Sequence, residues 1–430
     1  MTLARPNPKL QATEERLASL TPPPQGGAWV RAARQAALAR VQSMGLPGRR
    51  DEYWRNTDPL SLITPEPPRA APMVDDEGPH FAEAGALTLV FVDGRFDPAA
   101  SDEPTLAGVE IERLYDAGRL DLHWAQGLYG ALEEAGQSPV QRPLAALNTA
   151  FAEDGVLIRV TAEAEQPIHL VYRHESDASD AILHHLVKVE AGARATLLES
   201  GPGAARFNSV MEVDVAEGGT LHHVRTQGRD RDRRTATHLF ARVAQGADFR
   251  SFTLTFNGVL TRNEVVVYLA GDDGVAHVAG AAVGDGDFLH DDTVFIIHEG
   301  VACESRQVMK KVLRNGATGV FQGKILVRPG AQRTDGYQLS QALLLDERSQ
   351  FLAKPELEIY ADDVKCSHGS TAGALDETAL FYLRSRGVPE RDAKDLLTLS
   401  FLREALEEIA DESLAEDLNR RLEGWLARRR

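Results

Sequence analysis

The sequence predicts a mainly β protein, with a β-solenoid core and helical segments at both ends. Three observations support this fold class. Between about residues 153 and 375, short runs such as MEVDV and FTLTF alternate in polarity with the period of a strand. The same region repeats an apolar residue followed three places later by a turn glycine, and both ends of the chain instead show apolar residues at helical spacing.

The repeat has a period of 26 to 30 residues, read from glycines that follow successive β-type runs. These glycines are Gly192, Gly218, Gly246, Gly274, Gly300 and Gly330. Such a period is typical of a solenoid, in which units stack because one unit cannot bury its own apolar face. Each unit has room for about two or three strands, so we predict a β-helix. On this pattern alone, a two-sheet sandwich is the alternative.

Changes of pattern divide the chain into three predicted domains. Residues 1–152 are predicted to form a helical and mixed domain, 153–374 the β-helix core, and 375–430 a C-terminal helical domain. The stretch 64–79 is rich in proline and acidic residues, which predicts a linker. The C-terminal domain is too small for a full core of its own, so we expect it to pack on the solenoid or to present an apolar face to a partner.

Composition and charge argue against several functions. The chain has 430 residues, of which 43% are hydrophobic, and a formal net charge of −17 with no basic stripe, which argues against nucleic-acid binding. Its two cysteines, Cys303 and Cys366, form no CxxC pair and suit a reducing compartment. The N-terminal sequence MTLARPNPKL lacks the apolar segment of a signal peptide, and no apolar run approaches the roughly 20 residues of a membrane helix. We therefore expect a cytoplasmic protein without membrane association.

The main candidate site is the stretch VKCSHGS, residues 364–370. Because residues i and i+2 of a strand project from one face, Cys366 and His368 are expected side by side, about 7 Å apart at the backbone. If one strand ran unbroken from KPELEIY, Glu356 and Glu358 would share that face. Thiolate, imidazole and carboxylate groups suit iron or zinc. One cysteine and one histidine make only half of a four-ligand site, however, so the pair needs further ligands to bind a metal. The alternative to a metal site is a purely structural one, a buried thiol beside a hydrogen-bonded imidazole.

Other motifs do not predict chemistry of their own. The stretch GATGVFQGKI resembles a phosphate-binding loop, but Ile325 follows Gly323–Lys324 where the Walker pattern needs serine or threonine. We therefore predict that the chain has no nucleotide site. His298 and Cys303 are five residues apart, which places them on opposite faces of a strand and argues against a shared site.

Three stretches together resemble the SufB/SufD family of iron–sulfur cluster assembly proteins. They are EYWRNTDPLSL, SRQVMKKVLRNGATGVFQGKILVRPGAQRTDGYQ and KPELEIYADDVKCSHGSTAGALDETALFYLRSRGV. The resemblance is dense from about residue 300 to 395 and looser toward the N-terminus. The chain length and the pair Trp54–Arg55 are more similar to the SufD branch than to the longer SufB branch.

The resemblance implies a right-handed parallel β-helix that pairs with the β-helix of SufB. It implies a transient cluster, or iron, shared with SufB at that interface, with His368 and Cys366 as ligands and Glu356 or Glu358 in support. It further implies that the C-terminal helices dock the ATPase SufC; we assign that role to Leu396, Leu397, Phe401 and Leu402. Reduced flavin is associated with the family's complex, although the sequence has no specific flavin motif.

On this interpretation the chain is a scaffold rather than an enzyme. The alternatives are a SufB-like scaffold, a structural β-helix homodimer without a metal role, and a β-helix enzyme such as an acyltransferase or a carbohydrate-active protein. The repeat length does not divide into the hexapeptides of acyltransferase helices, and only 6% of residues are aromatic, which argues against a carbohydrate enzyme.

Overall fold

Two parallel β-sheets face each other along most of the chain. The computed structural model describes residues 7–24, 26–72, 78–228 and 230–428. From β4 (Val156–Val160) onward, successive strands alternate between a ten-stranded sheet (sheet A) and a nine-stranded sheet (sheet B), so each turn of the chain adds one strand to each. All of these strands pair in parallel with the strand one turn away. The predicted β-solenoid is therefore confirmed, and the sandwich alternative is wrong.

The strand boundaries follow the predicted period closely. Sheet A contains β1 (Leu87–Val92), β2 (Arg95–Phe96), β5 (Ile168–Arg173), β7 (Arg194–Ser200), β9 (Thr220–Gln227), β11 (Asp248–Phe256), β13 (Val275–Asp285), β15 (Glu304–Arg314), β17 (Thr334–Leu344) and β19 (Val364–Gly373). Sheet B contains β3 (Val109–Arg113), β4 (Val156–Val160), β6 (Asp180–Val189), β8 (Arg206–Val215), β10 (Arg234–Val243), β12 (Leu260–Leu269), β14 (Leu289–His298), β16 (Thr318–Val327) and β18 (Gln350–Ile359).

The turns after the sheet B strands are joined by a ladder of backbone hydrogen bonds. At one position in each turn the N–H donates to a carbonyl of the next turn, and the residue has a φ between 55° and 69°. The residues at this position are Gly192, Gly218, Gly246, Asp273, Ala302 and Arg333. The predicted glycine repeat thus matches the first three turns, whereas Gly274, Gly300 and Gly330 lie beside the left-handed position rather than on it.

The main hydrophobic core lies between the sheets, where inward-facing residues such as Val213, Leu239 and Phe249 are buried. The interior between the sheets also contains polar side chains. Glu199 accepts a hydrogen bond from His223 at 2.7 Å, and Lys311 Nζ lies 2.6 Å from Asp292. Because a buried polar group is costly unless it is paired, these contacts explain how the interior accommodates charge.

Helices from the two ends of the chain cover the outer faces of the sheets. The helices are α1 (Pro8–Ser19), α2 (Ala28–Met44), α3 (Leu60–Ile63), α4 (Leu114–Ala117), α5 (Ala131–Ala135), α6 (Pro143–Phe151), α7 (Glu377–Ser385), α8 (Glu390–Leu406) and α9 (Glu412–Ala427). Helices α2 and α6 pack on sheet B, where Phe240 and Phe295 are buried. Helices α8 and α9 pack on sheet A, against Phe252 and its neighbours. The predicted helical ends are therefore present.

Strands also extend into the predicted N-terminal domain. Strand β1 pairs in parallel with β5, and β3 pairs antiparallel with β4, so residues before 153 complete both sheets. The proposed linker 64–79 lies partly outside the described residues, at 73–77, as do residues 1–6 of the N-terminal sequence considered above. Within the part of the chain that the structure describes, none of the helices has the length and apolar character needed to cross a membrane.

The EYWRNTD motif anchors the N-terminal segment to sheet B. The buried Arg262 side chain donates to the carbonyl of Tyr53 at 2.9 Å, and its guanidinium carbon lies 4.1 Å from the ring centre of Trp54. Its charge is balanced by Glu264, 2.7 Å away, and by contact with Asp291. A charge this deep needs such partners. Glu264 lies on β12 with Arg262, and Asp291 lies on β14, so the motif contacts two successive turns of the solenoid.

Candidate functional site

The candidate site lies at the C-terminal end of the solenoid, where both sheets stop. Strand β19 is the last strand of sheet A, and β18 is the last of sheet B. Among the described residues, each of these strands has a hydrogen-bonded neighbour on one side only. Their side chains are correspondingly more exposed than those of the preceding turns. The solenoid therefore ends in two open strand edges.

Cys366 projects into the space between the sheets at this end. It is in register with Gly336 of β17, which is in turn in register with the fully buried Ser305 of β15. The thiol sulfur lies over Gly336, 3.3 Å from where a Cβ would be placed there, and beside the inward-facing Ile325 of sheet B. Gly336 thus provides the room that the thiol occupies.

His368 lies two residues further along the same face. It is in register with Gln338, whose side chain is fully buried between the sheets, whereas His368 itself is exposed. The next inward row is Ser370, whose hydroxyl lies 2.6 Å from that of Ser340. The structure therefore places Cys366 and His368 on one inward-facing edge, as the strand spacing predicts.

Burial of the Cys366 thiol raises its pKa, and the charge of Asp335 adds to this effect, while the Gly336 backbone N–H lowers it by a smaller amount. The thiol is therefore protonated at neutral pH, and binding a metal requires the loss of that proton. As a soft ligand once deprotonated, it suits iron or zinc.

Glu356 and Glu358 do not share this face, contrary to the expectation for an unbroken strand. The chain leaves β18 after Ile359 and enters the other sheet at Val364, so the two carboxylates and the Cys/His pair belong to different sheets. Glu356 accepts a hydrogen bond from Tyr53 at 2.5 Å on the outer face of sheet B. Glu358 accepts from Lys324 at 3.1 Å and from Tyr360 at 2.6 Å, and these two contacts hold its pKa below the usual value.

Within the described residues, no group of three or more histidine, cysteine or acidic side chains is placed to hold a metal ion. Cys303 is fully buried, and its thiol donates to the carbonyl of Gly271 at 3.1 Å. His298 lies 2.8 Å from the hydroxyl of Ser305 instead. The Cys366–His368 pair on its own is thus at most part of a ligand set.

The C-terminal helices present some of the predicted docking residues and bury others. Leu402 is fully buried against sheet A, and Lys310 Nζ lies 4.5 Å from the Phe401 ring centre, so these two residues hold α8 to the solenoid. Leu397 is partly buried, and Leu396 is exposed. Sequence reasoning missed the most exposed apolar side chains of this region, Phe381 and Tyr382 on α7, which are 74% and 56% exposed. Both residues lie in the LFYLRSRG segment used for the family resemblance. The sequence does not predict their exposure, because this depends on how α7 packs.

Sequence reasoning also missed Gln338. Its side chain faces the same interior row as His368, one turn earlier. Continuing the solenoid period from His368 back through residues 338 and 307 would have identified the row, because each position holds a polar side chain.

Comparison with known proteins identifies the family to which these residues belong. Residues 172–401, just over half of the chain, match the family model described as "SUF system FeS cluster assembly, SufBD core domain". The iron–sulfur cluster assembly protein SufD of Escherichia coli (strain K12) is 29% identical over 405 residues, which cover 90% of this chain and 91% of that protein. A SufBD family protein of Synechocystis is 30% identical over 89% of this chain and 88% of its own length. SufD of Bacillus subtilis (strain 168) is 25% identical over 95% of this chain and 97% of its own length.

The matched segment contains most of the solenoid, including the Cys366–His368 edge, and the alignments with the relatives extend over most of the chain. The resemblance seen in the sequence motifs is thereby confirmed, and a role in SUF-system iron–sulfur cluster assembly accompanies it. The chain belongs to the SufBD core family of the SUF system.

Proposed function

We propose that the chain is a scaffold subunit that pairs with SufB through the open end of its solenoid, so that a nascent iron–sulfur cluster forms between the two subunits. The observation that carries the proposal is the coincidence of two features at this end. Strands β18 and β19 offer unpaired backbone groups, and the same edge carries Cys366 and His368. An open strand edge is a natural site for pairing with another chain.

The incomplete ligand set supports a shared site. Cys366 and His368 supply one sulfur and one imidazole, whereas iron in a cluster takes four ligands, including the bridging sulfides. A partner that extends both sheets would bring its own side chains to the same inward-facing row. Iron and sulfide are then cargo of the assembly, and this chain contributes a rigid edge and part of the ligands. A second copy of the chain at the same edges is the alternative pairing, and reduced flavin is a further proposed component of the complex.

Cluster yield in the complex with SufB and SufC tests the ligand assignment. We expect His368→Ala to reduce the iron and sulfide bound after assembly, and Cys366→Ser to reduce it less, because the exposed imidazole is the more accessible ligand. Ser367→Ala is the matched control, since that side chain points to the opposite face of β19. Wild-type yield in both site variants would exclude the ligand role. If the chain formed only homodimers in the presence of SufB, the proposed pairing would be wrong.

We further propose that SufC docks on the exposed apolar residues Phe381, Tyr382 and Leu396. Leu402 and Phe401 contact sheet A within the chain and are not part of this proposed docking surface. Phe381→Ser should abolish co-purification of SufC, while Leu122→Ser, which removes an apolar side chain that is 85% exposed in the N-terminal region, should not. Equal recovery of SufC with both variants would contradict the docking assignment.

A further inference from the structure

Three polar side chains form a row across the last turns of sheet A. Gln307 of β15 is in register with Gln338 of β17, which is in register with His368 of β19. Neighbouring strands are about 4.8 Å apart, and side chains in register on parallel strands lie one above the other. Gln307 and Gln338 are both fully buried, so their amides cannot exchange partners with water.

The row has a fixed hydrogen-bond direction. The Nε2 group of Gln307 donates to the carbonyl oxygen of Lys324 at 3.2 Å, across the interior in sheet B. A carbonyl accepts only from a donor, so this contact fixes the orientation of the Gln307 amide and turns its Oε1 toward Gln338. Gln338 Nε2 then donates to Gln307 Oε1 at 2.8 Å.

With this hydrogen-bond direction, one acceptor at the His368 end of the row has no donor. The Oε1 atom of Gln338 is buried and has no hydrogen-bond partner among the described residues. Buried polar atoms of native proteins are nearly always paired, so this acceptor should have a donor nearby. The side chain in register on the only remaining neighbouring strand is His368.

We propose that Gln338 Oε1 accepts a hydrogen bond from the imidazole N–H of His368 and so selects the tautomer with which His368 binds iron. A neutral imidazole has one N–H and one lone pair, and the partner of the N–H decides which nitrogen is left to bind metal. A neutral amide is suited to this role, because it accepts the hydrogen bond without drawing a proton onto the ring. Gln338 is thus a positioning residue, and the inference rests on the proposed ligand role of His368.

The alternative partners considered for His368 are engaged elsewhere. Glu356 accepts from Tyr53, and Glu358 accepts from Lys324 and Tyr360, all on the outer face of sheet B. Cys366 lies in the neighbouring inward row, over Gly336. Gln338 is the acceptor that the fold places next to His368.

Nitrogen-15 NMR of the histidine side chains of the full-length chain tests the inference without any cluster. We expect the wild-type His368 ring to show one dominant tautomer, with its signals assigned from their loss in His368→Ala. Gln338→Met, which removes the acceptor at similar volume, should give a mixture of tautomers. Gln322→Met removes another buried glutamine, on the outer face of sheet B, and should leave the His368 signals unchanged. Unchanged signals in Gln338→Met would overturn the assignment.

Cluster yield in the complex with SufB separates this inference from the proposed function. Loss of a residue that orients a metal ligand typically weakens metal binding by about 10- to 100-fold, so Gln338→Met should reduce the yield toward that of His368→Ala. If His368→Ala reduces the yield but Gln338→Met retains the wild-type yield, the positioning role is wrong and the ligand role stands. If His368→Ala has no effect, the proposed function itself fails, whatever the tautomer.

Discussion

Cys366 illustrates how a single residue can be placed for chemistry yet be held unreactive. Its side chain lies partly buried between the sheets, where burial raises the pKa of the thiol. The thiolate is the reactive form, and each unit by which a pKa rises reduces its fraction at a given pH by about tenfold. The unpaired subunit thereby protects a thiol that the assembled complex is proposed to use.

Alkylation kinetics should reveal this protection. In a Cys303→Ala variant, in which Cys366 is the only thiol, iodoacetamide should react at pH 7.5 several-fold more slowly with the folded chain than with the same chain in urea. The rate for the folded chain should continue to rise as the pH increases beyond 9, because the thiol is still ionising there. Equal rates in the two states at pH 7.5 would contradict a raised pKa. Mass spectrometry of the modified peptide measures the rate.

At this scale the sequence predicts more about neighbours within a strand than about neighbours across strands. The spacing of Cys366 and His368 was sufficient to place them on one face, because alternation within a strand is a local property. Glu356 and Glu358 would share that face only on an unbroken strand, and the break at residues 360–363 instead transfers the chain to the other sheet. The position of Gln338 next to His368 depends on the register between turns, which no local pattern specifies.

The turns after the sheet B strands share one left-handed position, which is not always occupied by glycine. Six successive turns place one residue in the left-handed region, and three of these residues are not glycine. A residue with a Cβ loses roughly 1–2 kcal/mol in this conformation, whereas a glycine loses about 0.5–1 kcal/mol of chain entropy on folding. The glycine period is therefore visible in the sequence only where the turn uses glycine, and in the later turns the nearest repeat glycine lies one to three residues from the left-handed position.

Exchanging residues at this position should change stability in opposite directions. Gly218→Ala should decrease the free energy of unfolding by about 1 kcal/mol, because its φ of 64° is strained for alanine although a Cβ there would meet no atom within 4 Å. Ala302→Gly, at the equivalent position with a φ of 57°, should leave stability unchanged or increase it by up to about 1 kcal/mol. Urea unfolding measures both. A stabilising Gly218→Ala would show that the turn is not constrained as described.

The whole molecule was predictable in outline because its architecture repeats. Period, strand alternation and helical ends together specify stacked turns with covered faces, and these appear in the structure. How the N-terminal region packs on the solenoid is harder to predict from the sequence. Strand β1 joins sheet A from the predicted N-terminal domain, and Arg262 connects Trp54 to the solenoid across more than 200 residues of sequence. Contacts of this kind depend on tertiary structure rather than on local pattern.

Buried histidines give the whole molecule a predictable response to acid. Burial lowers the pKa of seven of them to about 3 or 4, and these are His169, His184, His185, His222, His238, His290 and His298. In the unfolded chain a histidine titrates near pH 6.5. Between about pH 6.5 and 4 the unfolded chain therefore binds protons that the folded chain does not, so stability is full above this window and is lost as the pH falls through it. Glu212, whose pKa burial raises to about 8, and Glu133, whose pKa burial also raises, act in the opposite direction, but these are two groups against seven.

Urea unfolding at pH 7.0 and 5.5 should consequently show a marked loss of stability at the lower pH. Each buried histidine contributes up to about 1.4 kcal/mol per pH unit once its unfolded form titrates. His184→Gln removes one of these groups while keeping a polar side chain, so its stability should depend less steeply on pH than that of the wild type, whatever its stability at pH 7.0. Identical slopes for wild type and His184→Gln would mean that the buried imidazole already takes up its proton in the folded solenoid.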